Sequence, residues 1–190
     1  MANINGISVK GIKQFLGHEG EPLYQGNLYL NNKKIGFWSQ DSHGGCDNFV
    51  LDGKYSEQRI NSVIDALNPD KAFRGGTEER PFVIKYNLEL LLGDYITLML
   101  DEKEYKKAVK AGYAGIVIAT DGYHCTTWRL SERFMAMSDD MLLNELRDDI
   151  ARTKESFFKE NKYCQHTIRI YRSLADFEIG KPIEVADISA

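Results

Sequence analysis

The sequence predicts an α+β domain: an antiparallel β-sheet with an N-terminal hairpin, and three to four packed helices. Three observations predict it. The first fifty residues alternate apolar and polar side chains with the period of a half-buried strand. Farther on, apolar stripes recur with the 3.6-residue helical period and carry capping residues. Strand-like and helix-like segments come in runs instead of alternating strictly, which favours an antiparallel sheet over a doubly wound one.

The strand pattern begins at Ile7-Ser8-Val9-Lys10 and continues from Ile12 to Phe15. Leu23 to Leu30 and Lys33 to Ser39 flank Asn31-Asn32, and asparagine tolerates the positive φ angles of a two-residue hairpin turn. A fourth short strand, Asn48 to Leu51, ends at Asp52-Gly53. A helix follows: Ser56 caps it, Tyr55 and Ile60 occupy the staple positions, and Ile60, Val63, Ile64 and Leu67 form its stripe up to Asn68-Pro69. Asp70 to Pro81, with Arg74-Gly75-Gly76, reads as a mobile loop, and the dense apolar run after it as a helix over Val83 to Leu92. Asp101 with Glu104 resembles a capping box, so a separate short helix is expected over Glu102 to Ala111, closed at Gly112. The β-branched run in Gly115 to Thr120 and the stretch His124 to Leu130 flank Asp121-Gly122-Tyr123, a hairpin signal. A helix of about five turns is expected from Ser138, acidic at its start and lysine-rich toward its end. Thr167 to Tyr171 reads as a last strand, followed by an irregular tail.

At 190 residues the chain suffices for one domain, 1–190, with the helical stretch 132–165 as a semi-independent appendage. A composition of 43% hydrophobic and 27% charged residues is that of a globular protein, and a net charge of −4 offers no general attraction to phosphate backbones. The start, Met1-Ala2-Asn3-Ile4-Asn5, has neither the basic flank nor the apolar core of an export signal. The most apolar window, Leu88 to Leu100, carries Glu89 and Asp94 and is too short to span a bilayer, so no membrane association is expected. Three dispersed cysteines suit a reducing compartment, and a cytoplasmic location is expected.

Chemistry-bearing side chains concentrate in two loops, 15–22 and 40–47. His18, Glu19, Asp41, His43, Cys46 and Asp47 are the candidate binding residues. Because a hairpin returns the chain toward its start, loops at similar distances from Asn31-Asn32 can share one rim of a sheet. Imidazole and carboxylate oxygens at such a rim suit Mg²⁺ or Mn²⁺ and could activate water against a phosphoester. A plainer account also stands: Gly17, Gly20, Gly44 and Gly45 permit tight turns, and Asp41 or Asp47 ties them. Each cysteine lies near a histidine (His43 and Cys46, His124 and Cys125, Cys164 and His166), the ligand types of zinc; against this, Cys125 and Cys164 read as small core residues. Tyr24, Tyr29, Phe37 and Trp38 could stack bases but read better as core aromatics. No catalytic residue, metal or cofactor is assigned.

The Gly17-His18-Glu19-Gly20 turn, the hairpin around Leu28-Tyr29-Leu30-Asn31-Asn32-Lys33-Lys34-Ile35-Gly36, and the Asp41-Ser42-His43-Gly44-Gly45 turn together resemble the N-terminal portion of uncharacterised small proteins of phages and other mobile elements. The resemblance implies a non-catalytic accessory protein that binds a host macromolecule, first of all a host protein, as inhibitors of defence systems such as CRISPR do. The acidic stretches Asp101 to Glu104 and Asp139 to Asp149 could meet a basic partner surface, or simply form solvated helix faces. The alternatives are a metal-dependent phosphoester hydrolase and a module that sequesters a small nucleotide. Oligomeric state is left open.

Overall fold

The computed structural model describes residues 2–67, 72–77, 79–120, 125–158, 166–178 and 183–184. The antiparallel α+β architecture expected from the sequence is present, and the chain divides into two units, Ala2–Thr97 and Leu98–Ala190. The division falls inside one long helix, α2 (Leu88–Lys110), which contributes to both. Among the described residues, no helix is long and apolar enough to cross a membrane.

The N-terminal unit is built on a sheet of β1 (Ile7–Leu16), β2 (Pro22–Leu30), β3 (Lys33–Ser39) and β4 (Asn48–Leu51), in that order and antiparallel throughout. Its hairpin turns at Asn31 and Asn32, with φ of 49° and 63°, the left-handed pair that matches the strand twist. Gly26 lets β1 lie close on β2: a Cβ there would stand 3.2 Å from the Lys10 carbonyl oxygen. Ile7, Val9, Leu28, Ile35 and Trp38 are buried, as are Ile60 and Ile64 of α1 (Glu57–Leu67) and Leu88, Leu91, Leu92 and Tyr95 of α2. The Tyr95 hydroxyl donates to the Val9 carbonyl at 2.9 Å, tying α2 to β1. Ser56 caps α1 as expected, accepting from the Arg59 amide at 3.3 Å.

Residues 70–92 depart from expectation. Within the stretch read as a mobile loop lies β5 (Ala72–Thr77), which pairs with β6 (Arg80–Lys85), a strand that runs on into the expected helix, as a separate two-stranded sheet. The helix expected from Val83 starts only at Leu88, because Asn87 supplies the cap: its side-chain oxygen accepts from the Leu90 amide at 2.9 Å. Asn61 of α1 accepts from the Leu88 amide at 2.7 Å and satisfies a second free donor of that terminus. No break occurs at Asp101, so the expected separate helix is the second half of α2. An acidic pair spaced by three residues fits a helix interior as well as a cap, and Asp101 is held by partners nearly seventy residues away.

The C-terminal unit holds a sheet in the order β10 (Ile183–Glu184), β9 (Thr167–Tyr171), β7 (Gly115–Thr120), β8 (Cys125–Leu130), every pair antiparallel. Alternation along β7 and β9 gives this sheet two buried faces. Val117, Ala119, Ile168 and Ile170 pack with Leu142, Leu146, Ile150 and Phe158, from α3 (Asp139–Glu145), the joint after it, α4 (Arg147–Ser156) and the turn that follows. On the opposite face Tyr171 stacks on Phe177 of the one-turn α5 (Ala175–Glu178), with ring centroids 4.4 Å apart, and Phe177 meets Tyr105 of α2 at 5.4 Å. There the Asp101 carboxylate accepts from Arg169 Nε at 2.7 Å and from the Tyr171 hydroxyl at 2.5 Å. The five-turn helix expected from Ser138 is two helices: Ser138 caps the first, but Leu146, buried at the joint with φ −87° and ψ 2°, interrupts it. Leucine is a good helix former, so packing and not propensity sets this break. The turn expected at Asp121-Gly122-Tyr123, and Cys164, lie outside the described residues.

Candidate functional site

The two histidine loops meet at the end of the N-terminal sheet away from Asn31-Asn32. The His18 amide donates to the Ser42 carbonyl at 2.9 Å, joining them directly. Each loop is shaped by its own carboxylate. Glu21 folds over Gly17 and accepts from the Glu19 amide at 2.9 Å; Asp41 folds over Gly45 and accepts from the His43 amide at 3.0 Å. A Cβ at either glycine would meet that carboxylate, so a larger residue there would require the acidic side chain to swing away.

The convergence brings His18 and His43 together, with ring centroids 5.6 Å apart and planes tilted by 33°. His43 Nδ1 lies 3.0 Å from Ser42 Oγ and 3.7 Å from Asp41 Oδ1. Both histidines are exposed. The remaining candidates do not join them. Asp47 is taken by the core: Trp38 Nε1 donates to its carboxylate at 2.6 Å. Burial pushes the Asp47 carboxyl above its ordinary range, the Trp38 hydrogen bond opposes this, and the nearby Glu89 charge adds to it. Glu19 and Cys46 are exposed.

Among the described residues, no group of three or more Cys, His, Asp and Glu is placed to hold a metal ion. For the Cys/His pairs, His124 and Cys164 fall outside the described residues, while the His166 ring stacks on Phe158 at 4.4 Å. Cys125, expected in the core, is exposed at the start of β8. Partial desolvation raises its thiol, Asp101 and Glu104 push the same way, and Arg169 opposes them. That environment disfavours the reactive thiolate. Of the four aromatics weighed as a stacking platform, Tyr24 and Trp38 are buried, Tyr29 is half-buried beneath the Lys10 ammonium, and Phe37 is exposed.

The site that sequence reasoning missed is the β5–β6 hairpin. Every residue of β6 is exposed, including the consecutive Phe82 (48%), Val83 (57%) and Ile84 (42%). Successive strand residues point to opposite faces, so this apolar run faces solvent on both sides. Phe73 approaches Phe82 with centroids 6.0 Å apart, and Lys85 Nζ lies 3.3 Å from Asp65 of α1 at the base of the hairpin. An isolated two-stranded hairpin is marginal in water and has unpaired edges. The available signal was the β-branched and aromatic content of Phe82-Val83-Ile84, which favours strand over helix.

Comparison of the chain with protein families, curated proteins and solved structures yields no match.

Proposed function

We propose that this chain is a non-catalytic binding protein that docks on a host macromolecule, foremost a host protein, through the β5–β6 hairpin. The observation carrying this reading is β6, six consecutive exposed residues with Phe82, Val83 and Ile84 at their centre. Apolar side chains on both faces and open strand edges suit a partner that adds a strand or receives the hairpin in an apolar groove. In the phage or mobile-element setting suggested by the resemblance over Phe15 to Phe49, the role is that of an accessory protein blocking a host defence machine such as a CRISPR effector.

The test is capture from bacterial host lysate by the tagged chain, beside Phe82→Ser and Val83→Asp variants whose melting matches wild type. The reading expects a partner retained by wild type and reduced about tenfold by either substitution, a loss of about 1.4 kcal/mol. Retention of nothing across a range of salt, or retention indifferent to the hairpin, overturns it. The finer role is tested by plasmid interference in a CRISPR-competent strain, where wild type but not Val83→Asp should protect the targeted plasmid.

A second reading, a nucleotide-sequestering module or a metal-dependent phosphoester hydrolase, rests on the approach of His18 and His43 beside Asp41. The hydrolase would need these three to draw closer, since among the described residues no such group is placed to hold a metal ion. Metal analysis of chelator-free protein separates the two. Stoichiometric metal lost on His43→Ala favours the hydrolase, and its absence removes that support. For sequestration, a nucleotide at a hundred times its Kd should add about 2.7 kcal/mol of stability.

A further inference from the structure

On the other face of α1 from the hairpin base lies a cleft of about 350 Å³, near the lower end of the roughly 300–1,000 Å³ range of small-molecule sites. Its floor is aliphatic: Ile7, Ile60 and Ile64 are all buried, and Leu30 and Val63 complete the wall. Among the described residues, the charged ones lining it are Lys54 and Arg59. Neither of them forms an ion pair, and no carboxylate lines the cleft, among the described residues. Lys33, the cross-strand partner of Leu30, adds a third cation at this end of the sheet. Glu19, Glu21, Asp41 and Asp47 belong to the loops at the far end of the sheet, while Asp52, which follows β4 at the near end, is not among the described residues that line the cleft.

We infer that this cleft binds a small aliphatic anion: a medium-length hydrocarbon chain seated on Ile7, Leu30, Ile60, Val63 and Ile64, with a carboxylate or phosphate head held by Lys54 and Arg59. An apolar floor alone accepts any greasy molecule. Two lining cations with no ion-pair partner among the described residues select an anionic head, because a guanidinium–oxyanion hydrogen bond is charge-assisted and stronger than a neutral one. Tyr55, which also lines the cleft, gives the chain an amphipathic edge to pass. The site is independent of the hairpin, and either can fail without the other.

The experiment is methyl NMR of the intact chain titrated, below micelle formation, with decanoate, decyl phosphate, decanol and inorganic phosphate. Both decyl anions should give saturable shifts confined to the methyls of the five aliphatic residues. Decanol should bind about tenfold more weakly and inorganic phosphate should not saturate. Lys54→Gln with Arg59→Gln, at exposed positions, should weaken the anions about tenfold, a loss near 1.4 kcal/mol, while leaving decanol unchanged. Shifts spread over other methyls, decanol matching decanoate, or affinity indifferent to the double substitution would each overturn the assignment. Preference for decyl phosphate over decanoate identifies a phosphate-headed ligand, and the reverse a free acid.

Discussion

Removing one member of the Asp101–Arg169 pair should cost far more than removing both. Asp101 accepts from Arg169 Nε at 2.7 Å, from Arg169 Nη2 at 3.3 Å and from the Tyr171 hydroxyl at 2.5 Å, and both charged residues are under a tenth exposed. Burial alone would lower the guanidinium's proton affinity, but the hydrogen bond and charge of Asp101 more than compensate, so Arg169 is held above its ordinary value. Burial, reinforced by Asp101, likewise raises the Tyr171 phenol and keeps it a neutral donor. Arg169→Met strands a buried carboxylate with only Tyr171, while Asp101→Leu leaves a buried guanidinium with Thr167 Oγ1. Each should cost about 3–5 kcal/mol, whereas an apolar pair in place of a buried ion pair is often neutral or better. At about 2–4 °C per kcal/mol for a chain of this size, each single variant should melt about 6–20 °C lower. Asp101→Leu with Arg169→Met should recover most of that loss. The chain has two tryptophans, Trp128 in the unit containing the pair and Trp38 in the other. Fluorotryptophan labelling with ¹⁹F NMR therefore reads the relevant unit directly. Single variants within about 2 °C of wild type, smaller than any loss allowed above, or a double variant equal to the sum of the singles, would refute the coupling.

At Asp47 the folded carboxyl sits above its unfolded value. Its contribution is therefore fully present below about pH 3.9 and lost as pH rises through the folded value. Asp47→Asn keeps an acceptor for Trp38 and should be more favourable relative to wild type at pH 7 than at pH 4. Urea titrations at both values check this, and the opposite trend would show that the indole bond outweighs burial. Asn32, at φ 63°, should lose about 1–2 kcal/mol on replacement by Ala, with Gly retaining stability; thermal melts compare the two. Ser138→Ala removes the acceptor of the Met141 amide at 3.4 Å and should cost about 1 kcal/mol, followed through the ¹⁹F signal of Trp128.

What the sequence determined by itself is whatever rests on neighbours along the chain. Asn31-Asn32 dictates the tight turn, Ser56 and Ser138 dictate helix starts, and the alternation from Ile7 to Phe15 dictates a strand with one buried face, because each depends on backbone angles or periodicity within a few residues. The turn also made a meeting of the histidine loops possible, since a hairpin of matched arms brings its far ends to one rim, but whether they meet was decided by the folded structure. Tertiary structure alone decided the rest. Asp101 reads locally as a cap and becomes a buried carboxylate because Arg169 and Tyr171 arrive from a distant strand. Asp47 reads as a loop ligand and is drawn inward by the Trp38 indole. Phe82-Val83-Ile84 has the composition of a core element, yet it is exposed, since burial depends on what the rest of the fold leaves uncovered and no local pattern encodes that.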